Sequence, residues 1–169
     1  MPAKRKHPDE AGEDFVLKAG ESTEVTKAVS VTIHDFIKKI DDLENSKFIT
    51  CPNFYVAGKK LSINIYLEEG DDHIVVFLFN RNDEKIKASC TFKHESGRYG
   101  QDPIFKDQEI EPNEGHGIGE FLSHEDYKKW AEGHGDVFRV EAEITLHLQD
   151  GNPEPVWETF PRKRFVLYL

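Results

Sequence analysis

Apolar and polar positions alternate along much of the chain, as they do in β-strands. Alternating segments occur at residues 29–33, 61–66, 86–92 and 137–148. A period of two gives each segment one apolar and one polar face, which is typical of a half-buried strand. Residues 73–79 are continuously apolar, which indicates a strand covered on both faces. Pro52 interrupts a run of β-forming residues and indicates an edge or a bulge.

A short helix interrupts the strand pattern. Ser123 precedes Asp126 by three residues, which is the spacing of a capping box. The sequence predicts a helix near residues 123–131 that is closed by Gly133. Residues 95–119 hold seven Gly or Pro, which predicts a long loop with only short strands. The predicted fold class is all-β: an antiparallel β-sandwich of seven to eight strands with one short helix.

The 169 residues are enough for one domain with its own core. Residues 1–27 are poor in apolar side chains and are predicted to form a disordered N-terminal arm. Residues 28–150 carry the sandwich, and residues 151–169 form a C-terminal extension with the composition to add a strand. The Lys-Arg-Lys cluster at residues 4–6 is typical of a nuclear-import signal and also of chance runs of charge in tails.

Composition and charge narrow the function classes. The net charge is -10, which repels phosphate backbones and anionic lipids, so we expect neither nucleic acid nor a membrane as partner. No apolar stretch reaches the roughly 18 residues of a membrane-spanning helix, and no signal-peptide core follows the first charges. The two cysteines, Cys51 and Cys90, are too few for a disulfide framework. We expect a cytoplasmic or nuclear protein.

Common catalytic and metal-binding motifs are absent from the sequence. No Walker loop, no Gly-x-Ser-x-Gly and no His-Glu-x-x-His occurs, so we expect neither an enzyme nor a cofactor. The spacing of His116, His124 and His134 places no two of them on one helix face or strand as metal ligands, and we expect no metal. The glycine-rich run at 115–119 lacks the strand-to-helix context of a phosphate-binding loop.

Four segments carry, in order, the resemblance to a known family. They are Val-Thr-Ile-His-Asp-Phe at 31–36, Cys-Pro-Asn-Phe at 51–54, Gly-Lys-Lys-Leu-Ser-Ile-Asn-Ile-Tyr at 58–66 and His-Gly-Ile-Gly-Glu-Phe-Leu at 116–122. They resemble the motifs Trp-x-Ile-x-x-Phe, Ser-Pro-x-Phe, Gly-basic-Trp-x-Ile-x-hydrophobic-Tyr and Trp-Gly-Phe-x-x-Phe-Ile of the MATH (meprin and TRAF homology) domain. Val31, Leu61 and His116 stand in place of hallmark tryptophans. Over residues 28–148 the chain therefore resembles a divergent, TRAF-like member.

The resemblance implies an eight-stranded antiparallel sandwich that docks short linear peptide segments of partner proteins in a shallow groove. The implied role is that of an adaptor or substrate-recognition module, often in the ubiquitin pathway. By position, the resemblance implies a peptide-binding site at Phe77, Cys90, His116 and Ile118. A core role alone for Phe77 and Cys90 is the alternative. A sandwich lectin or other small-ligand-binding domain is the alternative function, and the sequence leaves the oligomeric state open.

Overall fold

The computed structural model describes residues 23–42, 48–67, 72–97, 103–148 and, for the backbone, 162–167. The elements in chain order are β1 (Thr23–His34), α1 (Phe36–Asp41), β2 (Phe48–Thr50), β3 (Phe54–Val56), β4 (Lys59–Tyr66), β5 (His73–Asn80), β6 (Ile86–His94), β7 (Phe105–Ile110), β8 (Gly115–Ser123), α2 (His124–His134), β9 (Val137–Leu148) and β10 (Arg162–Leu167).

The strands form two five-stranded sheets. Sheet A has the order β10-β1-β9-β6-β7, and sheet B has the order β2-β4-β5-β8 with β3 also paired to β4. The short strands β2 and β3 follow each other along β4, because β2 pairs with residues 64–66 and β3 with residues 59–61. Paired strands are antiparallel except β10, which runs parallel to β1. The predicted all-β sandwich is confirmed, with more strands than the seven to eight expected.

The core lies between the sheets and is built from the apolar face of each alternating strand. In β9 the buried residues are the even-numbered ones from Phe138 to Leu146. In β6, Ile86, Ala88, Cys90 and Phe92 are buried in the same way. These are the faces that the period of two predicts. Full burial of each large apolar side chain contributes about 1.5–3 kcal/mol, and the buried residues of both sheets form one cluster.

Two helices occur in the described part of the chain, against the one that the sequence predicts. Helix α2 has the predicted N-cap, since Ser123 Oγ accepts a hydrogen bond from Asp126 N (3.0 Å). It continues through Gly133 and ends at Gly135 instead. Helix α1 lacks a local start signal, because its N-cap Asp35 has a left-handed backbone (φ 53°) and makes no side-chain cap.

The predicted loop region at 95–119 contains a short strand, as expected, since β7 occupies residues 105–110. The prediction of a loop is wrong from Gly115 onward, where β8 begins. Glycines alternate with other residues in the first half of β8. Because glycine has no side chain, one face of this strand carries no apolar residues, and the period of two that predicts a strand is not visible in the sequence.

The domain boundaries fall partly outside the described residues. Of the predicted arm at 1–27, residues 1–22 lie outside them, whereas the rest form the start of β1, so the sandwich begins at Thr23 rather than at residue 28. Of the predicted extension at 151–169, the described residues are 162–167, which form β10. Neither helix of the described chain is long and apolar enough to cross a membrane.

Candidate functional site

Strand β8 is an edge of sheet B in the described part of the chain. The strand to which it is hydrogen-bonded there is β5. An edge strand presents a row of backbone N–H and C=O groups without ladder partners, and such a row pairs readily with another extended chain. Within the described residues, the side of β8 that faces away from β5 is therefore a candidate binding site.

The register with β5 decides which backbone groups of β8 point outward. Asn80 N donates a hydrogen bond to Glu114 O (2.8 Å) directly before the β5–β8 ladder begins. Bonded and non-bonded pairs alternate along an antiparallel ladder. His116 therefore bonds to β5, whereas Gly115 and Gly117 direct their N–H and C=O groups to the open edge. Both outward-facing residues lack a side chain, so the approach of another strand meets no steric barrier from them.

The side chains on the core side of β8 form a small cluster with β7. His116 and Ile118 are the register partners of Leu78 and Val76, which lie in the core. The exposed His116 ring meets the Phe105 ring edge-to-face with centroids 5.0 Å apart. Phe105 is buried, and Ile118 is half-buried against the core. Beside the outward glycines the chain thus offers an apolar surface that carries one imidazole.

The structure brings together two of the four predicted site residues, His116 and Ile118, and separates the other two. Cys90 is 1% exposed and is the register partner of Phe105, so it lies in the core behind the cluster. Burial, with a smaller effect of the Glu143 charge, raises the pKa of its thiol. A direct peptide contact by Cys90 is therefore not available in this conformation. The alternative core role describes Cys90 correctly.

Phe77 lies on the opposite, outer face of sheet B. Its ring contacts Tyr66 with centroids 5.4 Å apart, and Tyr66 contacts Phe48 at 4.6 Å. Gly117 is the register partner of Phe77. A Cβ at Gly117 would lie 2.9 Å from Phe77 Cδ1 and 2.0 Å from Val76 O. The Phe77 and His116 side chains therefore lie at the same stretch of β8, on opposite faces of sheet B.

His116, His124 and His134, whose spacing argues against a shared metal ion, occupy separate places. His116 lies in β8, and His124 and His134 are the first and last residues of α2. The His134 ring stacks on Trp130 at 4.5 Å, and its Nδ1 lies 2.8 Å from Trp130 O. Among the described residues, no three His, Cys, Asp or Glu side chains form a group suited to a metal ion.

Three residues of this edge are not among the predicted site residues. Gly115 and Gly117 could not be found from the apolar period, because a strand face without side chains shows none. Phe105 could not be found either, since its role depends on β7 lying opposite β8, which no local pattern encodes.

No protein-family model matches the chain, and no curated protein matches it. The class of protein is therefore defined by its structure: an all-β sandwich whose strand β8 is a glycine-containing edge in the described part of the chain.

Proposed function

We propose that the chain is a protein-interaction module that binds short linear peptide segments of partner proteins along the edge of β8. The observation that carries this proposal is the position of Gly115 and Gly117, whose backbone groups face the open edge. An extended peptide that adds to this edge gains main-chain hydrogen bonds from the outward groups.

The two faces of β8 explain how the predicted residues could contact one peptide. Successive side chains of an added strand point to opposite faces of the sheet. One peptide side chain then lies against His116, Ile118 and Phe105, and the next lies over Gly117 against Phe77. Main-chain bonds supply affinity, and the two side-chain sites supply specificity. Cys90 does not contact the peptide, because it is buried beside Phe105 in sheet A.

A role of the MATH type is part of this proposal. It is supported by the antiparallel sandwich and by the order of elements at its end, where the segment beginning at His116 leads into helix α2 and then into the closing strand β9. We accordingly propose an adaptor or substrate-recognition role, with the ubiquitin pathway as one setting. A cytoplasmic or nuclear location agrees with Cys51 and Cys90, which are both free thiols.

Binding of a sugar or another small ligand is the second candidate, and one observation favours it. Phe48 is 47% exposed and begins the aromatic row on the outer face of sheet B. Sugars stack on flat aromatic faces, whereas Phe48 and Tyr66 are inclined by 52° and Tyr66 and Phe77 by 81°. The inclined rings make peptide binding the better supported function. A glycan array with a clear hit would reverse this order.

The test is a peptide-library selection on the purified chain, followed by titration of the selected peptides. We expect His116→Ala and Phe77→Ala to weaken binding about tenfold each, as is common for aromatic residues in an interface. Lys93→Ala is the matched control, because Lys93 is exposed on β6 in the other sheet. Equal affinity of all three folded variants and the wild type would contradict the β8 site.

N-methylation of the peptide tests whether it pairs with β8 through its backbone. In an added strand, every second peptide amide faces β8. N-methylation of one set of alternate amides should therefore abolish binding, while methylation of the other set should leave it nearly unchanged. Loss of affinity that does not follow this period would exclude strand addition even where the peptide binds.

A further inference from the structure

Lys60 and Arg81 are two cations that face each other across neighbouring strands. Leu61 and Asn80 are the last register partners of β4 and β5, and Arg81 N donates to Lys60 O (3.1 Å), so Lys60 and Arg81 form the next pair. The Arg81 side chain reaches Ser62, which lies on the same face of β4 as Lys60. Like charges directly opposite in a sheet are destabilising. An anion between them would reverse the sign of this interaction.

The two cations line an open cavity of about 570 Å³ at the outer face of sheet B. Two carboxylates, Asp83 and Glu84, line the same cavity. Glu84 is paired with Lys59, whose hydrogen bond and charge lower the pKa of Glu84. Among the described residues, the lining charges without an ion-pair partner are therefore one carboxylate, that of Asp83, and the two cations. With Lys59 counted beside its partner Glu84, the charges around the cavity are three cations and two carboxylates, which leaves one positive charge in excess in a chain whose net charge is -10.

Arg81 is held in place by contacts that leave part of its guanidinium available. The guanidinium lies over the Phe79 ring, with Cζ 4.1 Å from the ring centroid, and Nε donates to Ser62 Oγ (2.9 Å). Nη2 lies 3.4 Å from Asn64 Oδ1, and no hydrogen bond from Nη1 is present within the described chain. A guanidinium fixed in this way loses little entropy when it binds an anion.

The backbone around Lys60 is fixed as well. Asn82 Nδ2 donates to Lys60 O (2.9 Å), and Asn82 Oδ1 accepts from Lys60 N (2.9 Å). The Lys60 ammonium itself has no hydrogen-bond or ion-pair partner in the described ranges, although the residue is half-buried. Tyr55, which is 38% exposed, is the register partner of Lys60 on its other side and stands at the rim of the cavity.

We propose that this cavity binds a tetrahedral oxyanion, phosphate or sulfate, between Lys60 Nζ and the free nitrogens of Arg81. Arginine and lysine together are suited to such a group, because the guanidinium donates two directed hydrogen bonds and the ammonium adds a mobile point charge. Tyr55 lines the same cavity. The site is separate from the β8 edge and does not depend on peptide binding there.

The anion could be free in solution or part of a phosphorylated partner protein. Asn113 N donates to Asn80 O (3.0 Å), so the cavity's loop adjoins the turn before β8. Two strand spacings, about 10 Å, separate β4 from β8. A phosphorylated residue outside the segment paired with β8 is within reach of the cavity.

The experiment is a titration of the ¹⁵N-labelled chain with sodium phosphate, with chloride at equal ionic strength as reference. We expect saturable shifts of the Lys60, Arg81 and Asn82 amide signals. Lys60→Met should weaken phosphate binding about tenfold, the usual effect of losing one charge-assisted hydrogen bond. Lys106→Met is the matched control, because Lys106 is exposed on β7 and has no hydrogen-bond or ion-pair partner among the described residues. It should leave the affinity unchanged.

A variant that is expected to gain affinity separates a specific effect on phosphate binding from a loss of affinity caused by misfolding. Asp83→Asn removes the negative charge of the cavity that is not paired with Lys59 and should tighten phosphate binding about threefold, the size of an exposed charge interaction. Weaker binding in Asp83→Asn, or equal binding in Lys60→Met and the wild type, would overturn the proposal. His116→Ala should bind phosphate normally, so failure of the β8 site and failure of this site give different results.

A second arm separates the two sources of the anion. A phosphoserine peptide that binds more tightly than both free phosphate and its unphosphorylated form, and that loses this advantage in Lys60→Met, identifies a phosphorylated partner. A phosphopeptide no tighter than free phosphate identifies the free anion. Binding that is independent of phosphorylation and of Lys60 counts against the site.

Discussion

His94 is a titratable side chain in the middle of an aromatic cluster. Its ring stacks on Phe138 at 5.4 Å and meets Trp130 at 4.8 Å. Nδ1 accepts a hydrogen bond from Ser96 N (3.1 Å), which leaves the proton of the neutral ring on Nε2. Nε2 is buried and has no hydrogen-bond partner among the described residues. Desolvation, opposed by the charge of Glu95, lowers the pKa of His94 to about 4.

The lowered pKa makes the fold sensitive to acid. Because the pKa of His94 is about 4 when folded and about 6.5 when unfolded, the unfolded chain binds more protons between these values. Stability is therefore fully present above pH 6.5 and is lost as the pH falls toward 4. From pH 7.5 to pH 5 we expect this residue to remove roughly 1–2 kcal/mol. Urea denaturation at both pH values measures the loss.

The control for the acid effect is His94→Asn, whose side-chain oxygen can still accept from Ser96 N but does not titrate. The variant is expected to be less stable at neutral pH because it fills less of the cluster. Its stability should change less than that of the wild type between the two pH values. An equal pH dependence in both proteins would assign the acid sensitivity to carboxylates elsewhere.

At the scale of elements, helix α1 depends on a residue far away in sequence. The Asp136 carboxylate accepts hydrogen bonds from Ile37 N (3.0 and 3.1 Å) and from Tyr127 OH (3.0 Å). Asp136 O accepts from Asp35 N (3.1 Å). One side chain before β9 thus satisfies the first turn of α1 and links it to α2.

Replacing Asp136 should therefore loosen both helices. We expect Asp136→Ala to lower the free energy of unfolding by about 2 kcal/mol, since it removes hydrogen bonds to a charged group and leaves Tyr127 OH unpaired. Asp136→Asn keeps one acceptor oxygen and should lose about half as much. Denaturant unfolding gives both values. An Asp136→Ala chain as stable as the wild type would show that α1 needs no cap.

The glycines of β8 allow a matched pair of variants. A Cβ at Gly117 would lie 2.0 Å from Val76 O, whereas a Cβ at Gly119 meets no atom within 4 Å. Gly117→Ala should therefore cost about 1–3 kcal/mol, as overpacking does, and disturb the β5–β8 pairing. Gly119→Ala should change stability by less than about 0.5 kcal/mol. Thermal melting compares them, and equal melting temperatures would mean that β8 does not approach β5 this closely.

At the scale of the whole molecule, the described core side chains belong to the part of the chain from β1 to β9. The buried apolar cluster and the residues packed against it extend from Val25 to Leu146. Strand β10 adds a parallel partner to the outer edge of β1 at residues 28–33. Its backbone pairing protects that edge, which lies at the opposite end of sheet A from β7.

Truncation after Leu148 should therefore leave a folded sandwich. We expect a cooperative thermal transition at a temperature lowered by several degrees, since the lost pairing costs about 1–2 kcal/mol. In hydrogen exchange, every second amide of residues 28–33 should lose protection, because alternate residues of β1 bond to β10. An unfolded truncated chain would show instead that residues 149–169 contribute to the core.

The sequence by itself determined the strands that bury one face, the register of those faces and the cap of α2. These features depend on local periodicity and on contacts within one turn, as in β6, β9 and Ser123. Such local signals have a limit. They predicted fewer strands than the structure has, did not predict α1, and predicted a loop where β8 begins. A strand whose alternate residues are glycine has no apolar period to recognise.

Only the tertiary structure decided which residues meet. The first turn of helix α1 is hydrogen-bonded to Asp136, far away in sequence. Cys90 lies in the core while His116 lies at an edge, although the resemblance assigned both to one site. Phe77 and His116 occupy opposite faces of sheet B, and Lys60 of β4 faces Arg81, which directly follows the neighbouring strand β5. The physical reason is the same in each case. Strand neighbours are set by non-local pairing, and the alternating pattern determines on which face of a strand a residue lies but not what that face will contact.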